Sequence, residues 1–99
     1  MTSQIRIVTS AALELEVAYL YYESRQTALG ESFMDAFQRS CRLLEDHPQA
    51  APVLRESVRR KLIAGFPYGI HYRVTSTAIE ILAVMNLNRR PDSWMNIRE

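Results

Sequence analysis

One cysteine, two histidines, three glycines and one lysine are all that the chain contains of those four residues. The lone Cys41 excludes an internal disulfide framework and fits a reducing compartment. Cys41 and His47 stand six apart, not at helical i, i+4 spacing, and there is no Cys pair and no His-Glu-x-x-His run, so no metal is expected. Cys41 reads instead as a small core residue. Gly65 and Gly69 bracket Phe66-Pro67-Tyr68, which suits a bulge and not a phosphate cradle, so no cofactor is expected either. Nothing supports a Ser-His-Asp triad. No apolar run approaches the ~18 residues of a membrane span. The start, MTSQIRIVTS, lacks the basic residues and apolar core of a signal peptide, so a cytoplasmic location without membrane contact is expected.

What is present fits one soluble domain over residues 1–99, with 47% apolar and 23% charged residues. A chain of this size buries roughly 60–70% of its unfolded surface, enough for one modest core. The net charge of +1 hides an asymmetry, because residues 1–52 sum to −3 and residues 53–99 to +4. Eleven of the twelve cations are Arg, which favours planar, two-pronged contacts with carboxylate or phosphate. A mildly basic half points to an acidic partner more than to a bare nucleic-acid binder.

Residues 5–8 are short and β-prone, and Thr9 and Ser10 follow as N-cap candidates, with Glu14 and Glu16 near the positive end of the coming helix. A helix is expected over 11–27, with Ala11, Leu15, Ala18 and Tyr22 on one face and Leu13, Val17 and Leu20 on another. A helix apolar on two sides needs two covers: the sheet on one side, and a neighbouring helix or a partner protein on the other. Gly30 reads as a left-handed turn residue. A second helix runs from about Glu31 to Asp46, with Phe33, Phe37, Ser40 and Leu44 as its stripe, widened by Ala36, Cys41 and Leu43; His47-Pro48 stops it. The short link makes an antiparallel helical hairpin.

Residues 48–56 read as a loop with two prolines. After it the period changes to two: strands are expected over 58–64, around 70–75 and over 79–85, forming an antiparallel meander. The last strand is nearly all apolar, as a strand covered on both faces would be. Pro91-Asp92-Ser93-Trp94 opens a short helical or irregular tail. The fold class is α+β: an N-terminal strand and an antiparallel helical hairpin packed on a twisted, mainly antiparallel sheet.

Candidate chemistry centres on cations. Arg59, Lys61 and Arg73 are expected on one sheet face and Arg60 on the other. His71 should share a face with Arg73, partly exposed, where it could do acid–base work on RNA. His47 suits the last carbonyls of the second helix. Arg89 and Arg90 lie just past the last strand. With Trp94, Tyr68 and Tyr72 these cations could grip phosphates and stack bases, or grip an acidic protein segment by two-pronged ion pairs.

The ordered set "AYLYYE", "LGESFMDAFQRSCRLLEDHP", "RRKLIAGFPYGIHYRV" and "IEILAVMNLNRRPDSW" resembles the ParE branch of the ParE/RelE toxins, those of type II toxin–antitoxin modules often called plasmid stabilisation proteins. The resemblance spans nearly the whole chain and implies the α+β fold above. It implies a cognate antitoxin with a DNA-binding domain of the ribbon-helix-helix kind, through which alone the toxin would reach operator DNA. The antitoxin would cover Leu13, Val17, Leu20 and the adjacent Tyr21. The ParE branch is known for inhibiting DNA gyrase by binding; the RelE branch cuts mRNA on the ribosome. Many relatives carry His where this chain has Asn86, and an amide cannot shuttle protons near neutral pH.

Three expectations follow. The first is a gyrase-binding toxin whose docking surface holds Arg89, Arg90, Trp94, Asn86, Arg60 and Tyr68. The second is a ribosome-dependent endoribonuclease using His71, Arg73, Arg59 and Lys61. The third is a degenerate homologue that binds antitoxin without poisoning the cell.

Overall fold

The computed structural model describes residues 4–88. The elements run β1 (Gln4–Ile7), α1 (Thr9–Arg25), α2 (Leu29–Asp46), β2 (Val53–Arg55), β3 (Val58–Leu62), β4 (Tyr68–Val74) and β5 (Ala78–Asn86). The α+β order expected from the sequence holds, with one addition. The stretch expected to be loop contains β2, which pairs Val53 with Arg59 and Arg55 with Val58. Three residues between proline and a turn are too short to show a period.

Each helix begins differently from the sequence expectation. Val8, not Thr9 or Ser10, is the N-cap of α1, and no side chain caps that end. The Val8 N–H donates to the Ile81 carbonyl at 3.1 Å, so the strand runs straight into the helix. Glu14 and Glu16 fall beyond the first turn. At the hairpin the left-handed residue is Ala28, with φ 71°, and not Gly30. The Glu23 carboxylate accepts the N–H groups of Ala28 at 2.9 Å and Gly30 at 3.0 Å, satisfying donors at the start of α2. Gly30 lies inside α2, where a Cβ would stand 2.7 Å from the Tyr19 carbonyl oxygen; glycine is needed there because the two helix backbones touch.

The helix stripes bury as expected. Ala11, Leu15 and Ala18 of α1, and Phe33, Ala36, Phe37, Ser40 and Leu44 of α2, are all buried. Leu43, expected to widen that stripe, is exposed instead, because it sits at the edge where α2 overhangs β2. Cys41 is half-buried against the core, and burial, with Glu45 adding to it, pushes its thiol up to about 11. That leaves a packing residue and not a nucleophile.

The sheet order is β1-β5-β4-β3-β2, with β1 parallel to β5 and every other pair antiparallel. Both helices cover one face, where Ile70, Tyr72, Ile79, Ile81 and Val84 meet the helix stripes. Each such large apolar side chain contributes about 1.5–3 kcal/mol on full burial. One irregularity decides which residues face which way. Tyr72 pairs with Ile81 but His71 pairs with Ala83, so Leu82 is an extra residue, a bulge in β5. The bulge shifts the alternation, and Val84 and Asn86 follow Ile79 and Ile81 onto the helix side. The extra residue falls within the unbroken apolar run of residues 81–85.

An aromatic cluster ties the layers together. Tyr22 of α1, Phe33 of α2, Phe66 and Tyr68 pack with ring centroids 5.0–6.0 Å apart, mostly edge to face.

Candidate functional site

Residues paired across neighbouring strands share a face, so the register sorts the cations. Arg59 pairs with Tyr72 and Lys61 with Ile70, which places both on the helix side. Arg60 pairs with His71 and lies on the opposite side with Arg73. The grouping of Arg59, Lys61 and Arg73 on one face is therefore corrected: Arg73 belongs with Arg60.

Three of the four candidates for acid–base chemistry, His71, Arg73 and Arg59, are buried or engaged in the structure. His71, expected to be partly exposed, is 2% exposed, flanked on its face by Arg60 of β3 and Ala83 of β5. Arg73 Nε donates to Glu80 Oε1 at 2.8 Å, and Arg6 flanks the same carboxylate at 3.5 Å. Arg59 Nη1 donates to the carbonyls of Gln49 at 2.9 Å and Ala51 at 2.7 Å. The Tyr72 hydroxyl donates to the Pro48 carbonyl at 2.8 Å, and burial raises its pKa against the opposing pull of Arg59. Arg59 and Tyr72 thus staple the segment after α2 onto the sheet. The structure does not bring His71, Arg73, Arg59 and Lys61 into one constellation. Among the described residues, no group of three His, Cys, Asp or Glu side chains could hold a metal ion.

A concave site forms elsewhere, between α1 and the edge of β5. Strand β1 pairs with β5 only as far as Ile81. Past that point no described strand lies on that side of β5, and α1 supplies the nearest group. Glu14 Oε1 accepts the Val84 N–H at 3.0 Å, across the layer interface. Antiparallel ladders alternate their bonding direction, so the Asn86 N–H points to this same side. The resulting groove, of about 280 Å³, is lined by Leu13, Glu14, Val17, Tyr68, Val84 and Asn86 among others.

The groove is walled by the second apolar stripe of α1. Leu13, Val17, Leu20 and Tyr21 are 58%, 64%, 57% and 48% exposed, and no described element covers them. Their i, i+4, i+7, i+8 spacing sets them in one row along the helix. Tyr21 is braced by an edge-on contact with Tyr22 and by the Arg25 guanidinium, 5.1 Å from its ring centroid.

The residues expected to meet a target divide. Asn86 lines the groove, and its Oδ1 accepts the Asn88 N–H at 2.8 Å, fixing the turn that leaves β5. Tyr68 forms part of the groove floor, but its ring belongs to the buried aromatic cluster, which corrects the expectation of a stacking surface residue. Arg60 lies apart on the other face, its stem 3.1 Å from where a Gly69 Cβ would be. Arg89, Arg90 and Trp94 lie outside the described residues. The sequence reading missed Glu14 as a groove residue. Its signal was an acid flanked by Leu13 and Leu15, at the boundary between the two apolar faces of α1.

Comparison with known proteins accords with this architecture. Residues 5–91 match the family described as ParE toxin of type II toxin-antitoxin system, parDE. No curated protein matches the chain at a significant level. Among solved structures, a chain of the chromosomal ParDE TA system from P. aeruginosa is similar, with TM-score 0.64 and 19% identity over 88% of this chain and 98% of that one. A chain of the E. coli DinJ-YafQ toxin-antitoxin complex is also similar, with TM-score 0.58 and 9% identity over 87% of this chain and 93% of that one. At such identities the structural likeness speaks for the fold, a helical hairpin on a five-stranded sheet. With the family match covering most of its length, the chain belongs to the ParE toxin family of type II toxin–antitoxin systems.

Proposed function

We propose that this toxin is neutralised by an amphipathic segment of its cognate antitoxin seated along α1 and the free edge of β5, and that it acts by binding DNA gyrase in the cytoplasm. The observation that carries the first part is the exposed row Leu13, Val17, Leu20 and Tyr21 beside the groove along β5. An apolar row at helical spacing next to a groove suits an amphipathic helix, whose own apolar face removes both surfaces from water. The antitoxin's DNA-binding domain, of the ribbon-helix-helix kind, would then link the pair to operator DNA in a plasmid-stabilising module.

The second part is supported by the dispersal of the acid–base candidates. A nuclease needs its proton-transfer and phosphate-gripping groups converging within hydrogen-bond reach of one point. Here His71 is buried on one side of the sheet while Arg59 and Lys61 lie on the other, and Asn86 stands where many relatives carry His. Asn86 shares the groove with Leu13 and Val17, so an antitoxin seated there would also cover Asn86. Docking and neutralisation are then coupled by simple occlusion.

Two measurements test this. Leu13→Asp, Val17→Asp and Leu20→Asp together should weaken antitoxin binding by roughly 100-fold in calorimetry, while melting stays nearly unchanged because the three sites are exposed. Purified gyrase should lose supercoiling activity when the chain is added. Arg89→Ala, Arg90→Ala and Trp94→Ala should relieve that inhibition. Cleaved mRNA with intact supercoiling would overturn the gyrase reading in favour of a ribosome-dependent nuclease.

A further inference from the structure

A second groove, of about 490 Å³, opens at the far end of the sheet and shares no residue with the first. It lies between the C-terminal end of α2 and the β2–β3 pair. Its apolar walls include Leu43, Val53, Leu54 and Leu62, all exposed, and its cations are Arg60 and Lys61. None of the residues lining it is acidic. The β2–β3 strands carry Arg55, Arg59, Arg60 and Lys61 against no acid within either strand.

The backbone adds a further feature. Pairing with β2 ends at Val53 and Arg59, and the Arg60 N–H donates to the Pro52 carbonyl at 3.1 Å. Beyond that bond no described strand lies on the outer side of Lys61 and Leu62. The alternation of the ladder turns the Leu62 N–H and carbonyl toward the groove. An edge of this kind offers main-chain hydrogen bonds to an extended peptide, while flanking pockets take alternate side chains.

We propose that the open edge of this groove binds an extended acidic segment of a protein partner, with one row of its side chains on Lys61, Val53 and Leu43 at the helix side and the alternate row on Arg60 and Leu62 at the other. The charge of the lining selects the sign of the partner, and the open edge selects an extended conformation over a helix. The site is distinct from the α1–β5 groove, with which it shares no lining residue.

The test uses the full chain and a labelled nine-residue peptide of paired glutamates alternating with paired valines, which sets both residue types on each face of an added strand. Saturable binding is expected by fluorescence anisotropy, with NMR amide shifts centred on Val53 and Leu62, and with weakening as salt is raised. The double variant Arg60→Glu/Lys61→Glu should weaken it about tenfold or more while keeping a dispersed amide spectrum. A peptide with lysine in place of glutamate should not bind. The proposal is overturned by absent binding of the glutamate peptide or equal binding of the lysine peptide. It is also overturned if the shifts centre on α1 and β5, or if a ten-nucleotide single strand binds more tightly through Arg60 and Lys61.

Discussion

Gly30 shows how a single position can hold two helices together. The missing side chain lets α2 approach the Tyr19 carbonyl of α1, and Glu23 reaches across to hold the N–H groups of Ala28 and Gly30. Gly30→Ala would place a methyl 2.7 Å from backbone oxygen, a contact that only movement of a whole helix relieves. The expected loss is about 1–3 kcal/mol, read as a lower denaturant midpoint with unchanged slope. The better helix propensity of alanine, up to ~1 kcal/mol, offsets only part of it. The glycine was visible in the sequence, but its purpose was not. The turn assigned to Gly30 falls at Ala28, because the Glu23 carboxylate stabilises a conformation that alanine alone disfavours. A side-chain anchor five residues away leaves no mark in local turn chemistry.

At the scale of elements, period and length carried most of the fold. The buried stripes of α1 and α2 follow the helical repeat, and the β3–β4–β5 meander follows the switch to a repeat of two. What escaped is what depends on register. The faces of Arg59, Lys61 and Arg73 could not be placed from β3 and β4 read separately, since pairing decides them. Strand β2 was hidden for the same reason: Val53–Arg55 is a strand only because β3 lies beside it. The segment joining α2 to β2 is held mainly by Arg59, through the carbonyls of Gln49 and Ala51, and by the Tyr72 hydroxyl on Pro48. Arg59→Ala should therefore cost about 1–3 kcal/mol. Hydrogen exchange should speed up over residues 49–55 well before the rest of the sheet responds. Arg59→Lys should recover only part of the loss, because one ammonium cannot reproduce the geometry of the guanidinium.

Across the whole molecule, charge is layered. The two helices hold seven acids and three arginines, while the five strands hold six cations and a single acid, Glu80. A net charge of +1 leaves little long-range pull on a polyanion. Arg73 and Arg6 are further compensated by Glu80. The chain alone should not shift a random-sequence duplex in a gel at roughly 10 µM protein and about 0.15 M salt. Addition of the antitoxin should shift operator DNA, and a shift by the chain alone would show that the toxin contacts DNA itself. The bulge at Leu82 bears on how such a molecule tolerates change. Leu82 is an uncounted step in the ladder of β5. Deleting it would leave the residues around it chemically the same and let the ladder run regularly. The residues beyond it would keep their partners, Val84 opposite Ile70 and Asn86 opposite Tyr68, and would stay on the side of the α1 groove. The groove side of β5 is thus specified by which residues pair, so loss of Leu82 should be tolerated better than loss of a residue paired without a bulge, such as Ile70 in β4.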